Sequence, residues 1–127
     1  MKKLFIIFFF SVLSFSDLYA EWSFVVDTSR GDTFYADFDR LRKSNGFVYF
    51  WSLADFKSGK QKDGFLSAKS YFQEDCKAFR MKQLSSTNHR LPMGKDLGNT
   101  FTFEKPEWIY PNPSSVLEAV LEKVCNY

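Results

Sequence analysis

The residues here that could do chemistry are few: one histidine, His89, and two cysteines, Cys76 and Cys125. A zinc site needs about four nitrogen, sulfur or oxygen ligands, and no second histidine or spare thiol accompanies His89. Set between Asn88 and Arg90, it reads as a solvated loop residue with no metal role. Ser85 and Ser86 are near it in sequence, but nothing around either resembles the strained turn that exposes a catalytic serine. Glu74 and Asp75 are neighbours, and on a strand neighbours point to opposite faces, which is poor geometry for two carboxylates acting on one bond. Asp37 and Asp39 suit turn and cap hydrogen bonds. Gly59 with Lys60 and Gly94 with Lys95 lack the spacing of a phosphate loop, and Asp27, Asp32 and Asp37 are too dispersed for a calcium loop. These readings predict no catalytic residues, no metal and no cofactor. A pocket that set His89 against a buried carboxylate would point instead to an enzyme.

The cysteines take their meaning from the start of the chain. Lys2 and Lys3 precede an apolar run over residues 4–15, which is too short for the roughly 20 residues a membrane helix needs. Residues 16–20 are more polar and end in Ala20. The pattern is that of a signal peptide, residues 1–20, cleaved to leave residues 21–127 as one domain with no membrane span. No cysteine lies near the cut, so an exported protein of periplasm or cell surface is expected, not a lipoprotein. In an oxidising compartment Cys76 and Cys125 should pair. Such a bridge stabilises by roughly 4 kcal/mol in the chain-entropy model, a large share of a small domain's stability. Cleavage removes Lys2, Lys3 and Asp17, so 17 basic and 15 acidic residues become 15 and 14, a net charge of +1. That balance gives no reason to expect a nucleic-acid partner.

What must position these residues is mostly strand. Apolar alternation and turn residues predict strands over 22–27, 33–38, 47–56, 65–76 and 79–87, with a short one at 100–104. Residues 39–46 read as a polar turn ending in Asn45 and Gly46, and residues 88–99 as a loop. One helix is expected over 116–125, with Ser115 and Glu118 as a capping box. The fold class is α+β: an antiparallel sheet of five to six strands, one C-terminal helix packed on one face, one disulfide.

The cysteine pair also marks the faces. Cys125 ends the helix, so Cys76 must look toward it, together with Phe72, Ala68 and Leu66, while Phe65, Lys69 and Tyr71 look away. On the strand over 47–56, Phe47, Tyr49, Trp51 and Leu53 share one face and Val48, Phe50 and Ala54 the other. One helix covers one face, so the second needs sheet curvature, a second subunit or a ligand. Basic residues gather in mid-chain: Lys57, Lys60, Lys62, Lys69, Lys77, Arg80 and Lys82. They are either a solvated face or a surface for an acidic polymer or protein segment, with Trp51, Tyr71 and Phe79 as aromatic neighbours. The candidate binding or dimer surface is therefore Tyr49, Trp51, Lys69, Tyr71, Lys77, Arg80 and Lys82.

Four stretches, in order, resemble the surface-adhesin protein E family of exported bacterial domains. They are Trp22 with residues 33–37 (TFYAD); residues 41–46 (LRKSNG) leading to Val48 and Trp51; residues 67–70 (SAKS) with residues 74–77 (EDCK); and Trp108 with residues 113–116 (PSSV) and Val124 and Cys125. The resemblance implies an antiparallel sheet with a C-terminal helix, the Cys76 to Cys125 bridge, a tendency to form a homodimer and, for the founding member, adhesion to host matrix proteins. It departs from the founding lipoprotein in having no cysteine at the cut. The function expected is an exported non-enzymatic binding module for a host matrix or other extracellular protein. The alternative is a periplasmic protein that binds or inhibits another envelope protein.

Overall fold

Aromatic and β-branched side chains dominate the runs over 22–27, 33–38 and 47–56, and such side chains fit a pleated surface better than a helix. A computed structural model describes residues 21–56 and 63–127; the expected signal peptide and Lys57, Lys60 and Lys62 lie outside the described residues. Seven strands, β1 (Ser23–Asp27), β2 (Thr33–Ala36), β3 (Arg42–Ser44), β4 (Phe47–Asp55), β5 (Ser67–Asp75), β6 (Arg80–His89) and β7 (Asn99–Thr102), precede one helix, α1 (Val116–Cys125). They form one antiparallel sheet in the order β1-β2-β4-β5-β6-β7, with β3 paired to the start of β4.

β3 is the strand that the polar character of residues 39–46 hides. Asn45 and Gly46 both have positive φ, 51° and 82°, the geometry of a two-residue hairpin turn, and they fold Arg42–Ser44 back on Phe47–Tyr49. β2 is shorter than expected because Asp37 ends it. Its amide still donates to the Trp51 carbonyl at 3.0 Å, but its Oδ1 then accepts from the amides of Asp39 and Arg40 at 3.1 and 3.3 Å and turns the chain. β6 is longer, reaching His89, because β5 continues the ladder beside it as far as Ser67.

α1 has the expected bounds. Ser115 Oγ accepts from the Glu118 amide at 3.1 Å, while the Glu118 carboxylate accepts from the amide of Ser114, not Ser115, so the reciprocal cap is displaced by one residue. The core lies between α1 and the sheet: Val120, Leu121 and Val124 meet Ala36, Val48, Phe50, Phe72 and Met81. Phe50 and Phe72 are opposite each other in the register, their rings stacked at 5.5 Å. The disulfide joins Cys76, just past β5, to Cys125 at the end of α1, with Cα atoms 5.7 Å apart. Phe72 and Cys76 are therefore on the helix side, as the face argument requires.

Candidate binding face

The face turned away from α1 is set by register. Trp51 is opposite Tyr71, and Tyr71 opposite Ser85; one step along, Leu53, Lys69 and Thr87 align; in the other direction come Tyr49, Gln73 and Lys82. Leu84 is an extra residue in β6 between these rows, a bulge that keeps Lys82 and Ser85 on one face. Trp51 and Tyr71 have ring centroids 4.8 Å apart, and Tyr49 is 6.2 Å from Tyr71. Arg42 lies over the Tyr49 ring at 5.0 Å. None of the three rings is fully buried.

Past this ladder, a bridge between Met81 and Ile109 brings the segment before α1 back along β6: the Ile109 amide donates to the Met81 carbonyl at 2.7 Å and the reverse bond is 3.0 Å. Trp108 is thereby held with its ring 5.8 Å from Phe47, under Arg80 at 4.2 Å and Lys82 at 4.4 Å. Asp75 and Tyr110 anchor Arg80, whose Nε donates to Asp75 at 3.0 Å. The Ala78 amide, joined by Arg80, holds the Asp75 carboxyl below its usual range. Glu74 points the other way, into the core, so the two adjacent acids do occupy opposite faces.

Of the candidate surface, Tyr49, Trp51, Lys69, Tyr71, Arg80 and Lys82 come together here. Lys77 does not: it is exposed in the turn between β5 and β6. Phe79 is not an aromatic neighbour of these cations, since it packs on the helix-side core with φ of 54°. Trp108 takes that place. The sequence reading missed Trp108 and Arg42, because only the Met81 to Ile109 bridge and the β3 hairpin bring them in.

His89 corrects another expectation. It is 1% exposed, not solvated, and lines a cavity of about 790 Å³ with Trp22, Trp51, Asp37, Arg40, Lys69 and Lys95. Its Nδ1 is 3.3 Å from Asp96 Oδ1, close enough for an ion pair but without hydrogen-bond alignment, and neither ring nitrogen is hydrogen-bonded. Burial pushes the Asp96 carboxyl up, but the amides of Arg90 and Leu91 outweigh it and hold it below its ordinary value. Asp96 thus clasps its own loop. Ser67, opposite His89 in the register, is also engaged: its hydroxyl donates to the Leu91 carbonyl at 2.6 Å and accepts from the Gly94 amide at 2.8 Å. Asp37, 1% exposed, uses Oδ1 for its turn and holds Arg40 at 3.5 Å. The cavity thus brings His89 together with the buried carboxylate of Asp37, whose Oδ2 has no hydrogen-bond partner, the arrangement named above as pointing to an enzyme. The Ser67 hydroxyl and the Asp96 carboxylate, by contrast, are already hydrogen-bonded to backbone.

The sequence model of the family described as Surface-adhesin protein E matches residues 22–126. No curated protein matches the chain. Among solved structures, crystal form II of Haemophilus influenzae protein E is similar with a TM-score of 0.64 and 16% identity, covering 87% of this chain and 91% of that one. Its Se-Met form gives 0.61, 16%, 87% and 89% in the same order. Protein E from non-typeable Haemophilus influenzae gives 0.57, 15%, 87% and 79%. At these identities the structures show a shared fold.

Proposed function

Because the chain belongs to the surface-adhesin protein E family, we propose that it is an exported, non-enzymatic binding module whose aromatic and cationic face holds an extracellular protein, such as a host matrix protein. One observation carries this reading: Tyr49, Trp51, Tyr71 and Trp108 stay partly open to solvent on the face that α1 leaves uncovered, with Arg42 over Tyr49 and Arg80 and Lys82 over Trp108. Rings bearing cations are the side chains that dominate protein interfaces, and they suit an acidic segment. The hydrogen bonds that tie Ser67 and Asp96 to backbone beside His89 support a role without catalysis. The disulfide supports an oxidising compartment.

The test is binding of the oxidised domain, residues 21–127, to immobilised matrix glycoproteins, beside protease accessibility of the chain on intact cells. Arg80→Glu with Lys82→Glu should lower affinity at least about tenfold, and high salt should weaken the unmutated domain. Recovery only after osmotic shock, with no matrix binding, would sink the reading. A domain that sediments as a dimer until Trp51→Asp is introduced would instead assign the face to a second copy.

A further inference from the structure

Glu74 is fully buried on the helix side of β5, between Val48 of β4 and Met81 of β6, and neither carboxylate oxygen has a hydrogen-bond partner. A carboxyl group so enclosed costs stability that an aliphatic side chain would not. What Glu74 does approach is the bridge: one of its oxygens and the Sγ atoms of Cys76 and Cys125 all lie within 4.8 Å of one another. Glu74 and Cys76 are two apart along the chain and so share a face, and Cys125 comes in from the end of α1. Two sulfurs and a carboxylate thus converge from two rigid elements, apart from the aromatic face.

We propose that, when the bridge is reduced, Glu74, Cys76 and Cys125 form a binding site for a thiophilic divalent cation of the zinc type. A dithiol reductant passes two electrons and two protons to the disulfide; its own two thiols become a disulfide, and Cys76 and Cys125 become thiols. The cation then displaces three protons, two from sulfur and one from the carboxyl group, and forms two metal–sulfur bonds and one metal–oxygen bond. Around tetrahedral zinc, with sulfur at about 2.3 Å and oxygen at about 2.1 Å, ligand atoms are roughly 3.5 Å apart, within the spread of this cluster. The cysteine Cα separation of 5.7 Å leaves room for the sulfurs to part around a metal. The fourth position goes to water. Thiolate, not disulfide sulfur, is the ligand, so bridge and metal exclude one another.

The experiment uses residues 21–127, reduced anaerobically with a phosphine and titrated with Co²⁺ as a spectroscopic probe. One equivalent should bind with a thiolate-to-cobalt charge-transfer band that Zn²⁺ abolishes. The oxidised domain, Cys76→Ser and Cys125→Ser should show no such band, and Glu74→Gln should keep it while losing about tenfold or more in affinity. Circular dichroism in the same titration covers the case in which reduction unfolds the chain: metal should restore the native spectrum of the unmutated domain, and that of Glu74→Gln only at about tenfold or more higher metal concentration. Absence of the band, or a Glu74→Gln variant that binds and refolds as well as its parent, overturns the proposal.

Discussion

Trp51 and Tyr71 face each other directly across β4 and β5, with ring centroids 4.8 Å apart, on the side of the sheet that α1 does not cover. Phe50 and Phe72 form the matching pair on the covered side, where Phe50 is fully buried. If the first pair serves binding and the second serves folding, truncation should separate them. Phe50→Ala should cost about 3–5 kcal/mol by urea unfolding. Trp51→Ala should cost about 1–2 kcal/mol, mainly its aromatic contact and partial burial. Equal costs would make the Trp51 face a second core.

The bridge closes a loop across a sequence separation of 49. In the chain-entropy model that contributes about 4 kcal/mol. Cys76→Ser should therefore lower the unfolding midpoint strongly. The strip formed by Tyr49, Trp51 and Tyr71 is held by the β4 and β5 ladder, so under the proposed binding role the variant should bind a matrix protein as its parent does wherever it is still folded. A folded Cys76→Ser domain with no affinity would tie the bridge to recognition.

What could be read from the sequence was local. Ser115 and Glu118 announce α1, Asn45 and Gly46 announce a turn, and the alternation from Phe47 to Leu53 assigns both faces of β4 before any partner is known. What could not be read depends on distant segments. His89 has polar neighbours in sequence, yet Ser67 extends the ladder beside it and Gly94 folds close to its ring. Trp108 has no local signal for its place under Arg80 and Lys82, because the backbone bridge between Met81 and Ile109 puts it there. Register and bridges couple residues far apart in the chain, and local patterning carries no record of them.

Gly98 shows how tightly that loop is set against β6. Its φ is +70°, and a Cβ there would be 2.6 Å from the Asn88 carbonyl oxygen and 2.8 Å from His89 Nδ1. The Asn88 oxygen is strand backbone and cannot yield cheaply. Gly31 has φ of +88° but nothing within 4 Å of such a Cβ. Gly31→Ala should therefore cost about 1 kcal/mol, from backbone conformation alone. Gly98→Ala should cost about 2–4 kcal/mol and render residues 94–98 sensitive to protease. Equal thermal shifts for the two variants would show that the loop yields freely.

Glu74 makes the oxidised domain's stability depend on pH in an unusual direction. Burial pushes its pKa from 4.5 up to about 9, so the folded chain keeps the proton at pH 7 while the unfolded chain has released it. Below pH 4.5 both states hold the proton and the group adds no slope. Between pH 4.5 and about 9 the folded state binds more protons, so stability falls as pH rises, by up to about 1.4 kcal/mol per pH unit from this group. Glu74→Gln removes that slope, whatever constant offset its amide introduces. The difference in unfolding free energy between Glu74→Gln and its parent, measured by urea from pH 4.5 to 8.5, should shift steadily in favour of the variant as pH rises. Parallel stability curves would mean that the carboxyl group loses its proton within the fold, and that Glu74 has a polar partner in solution.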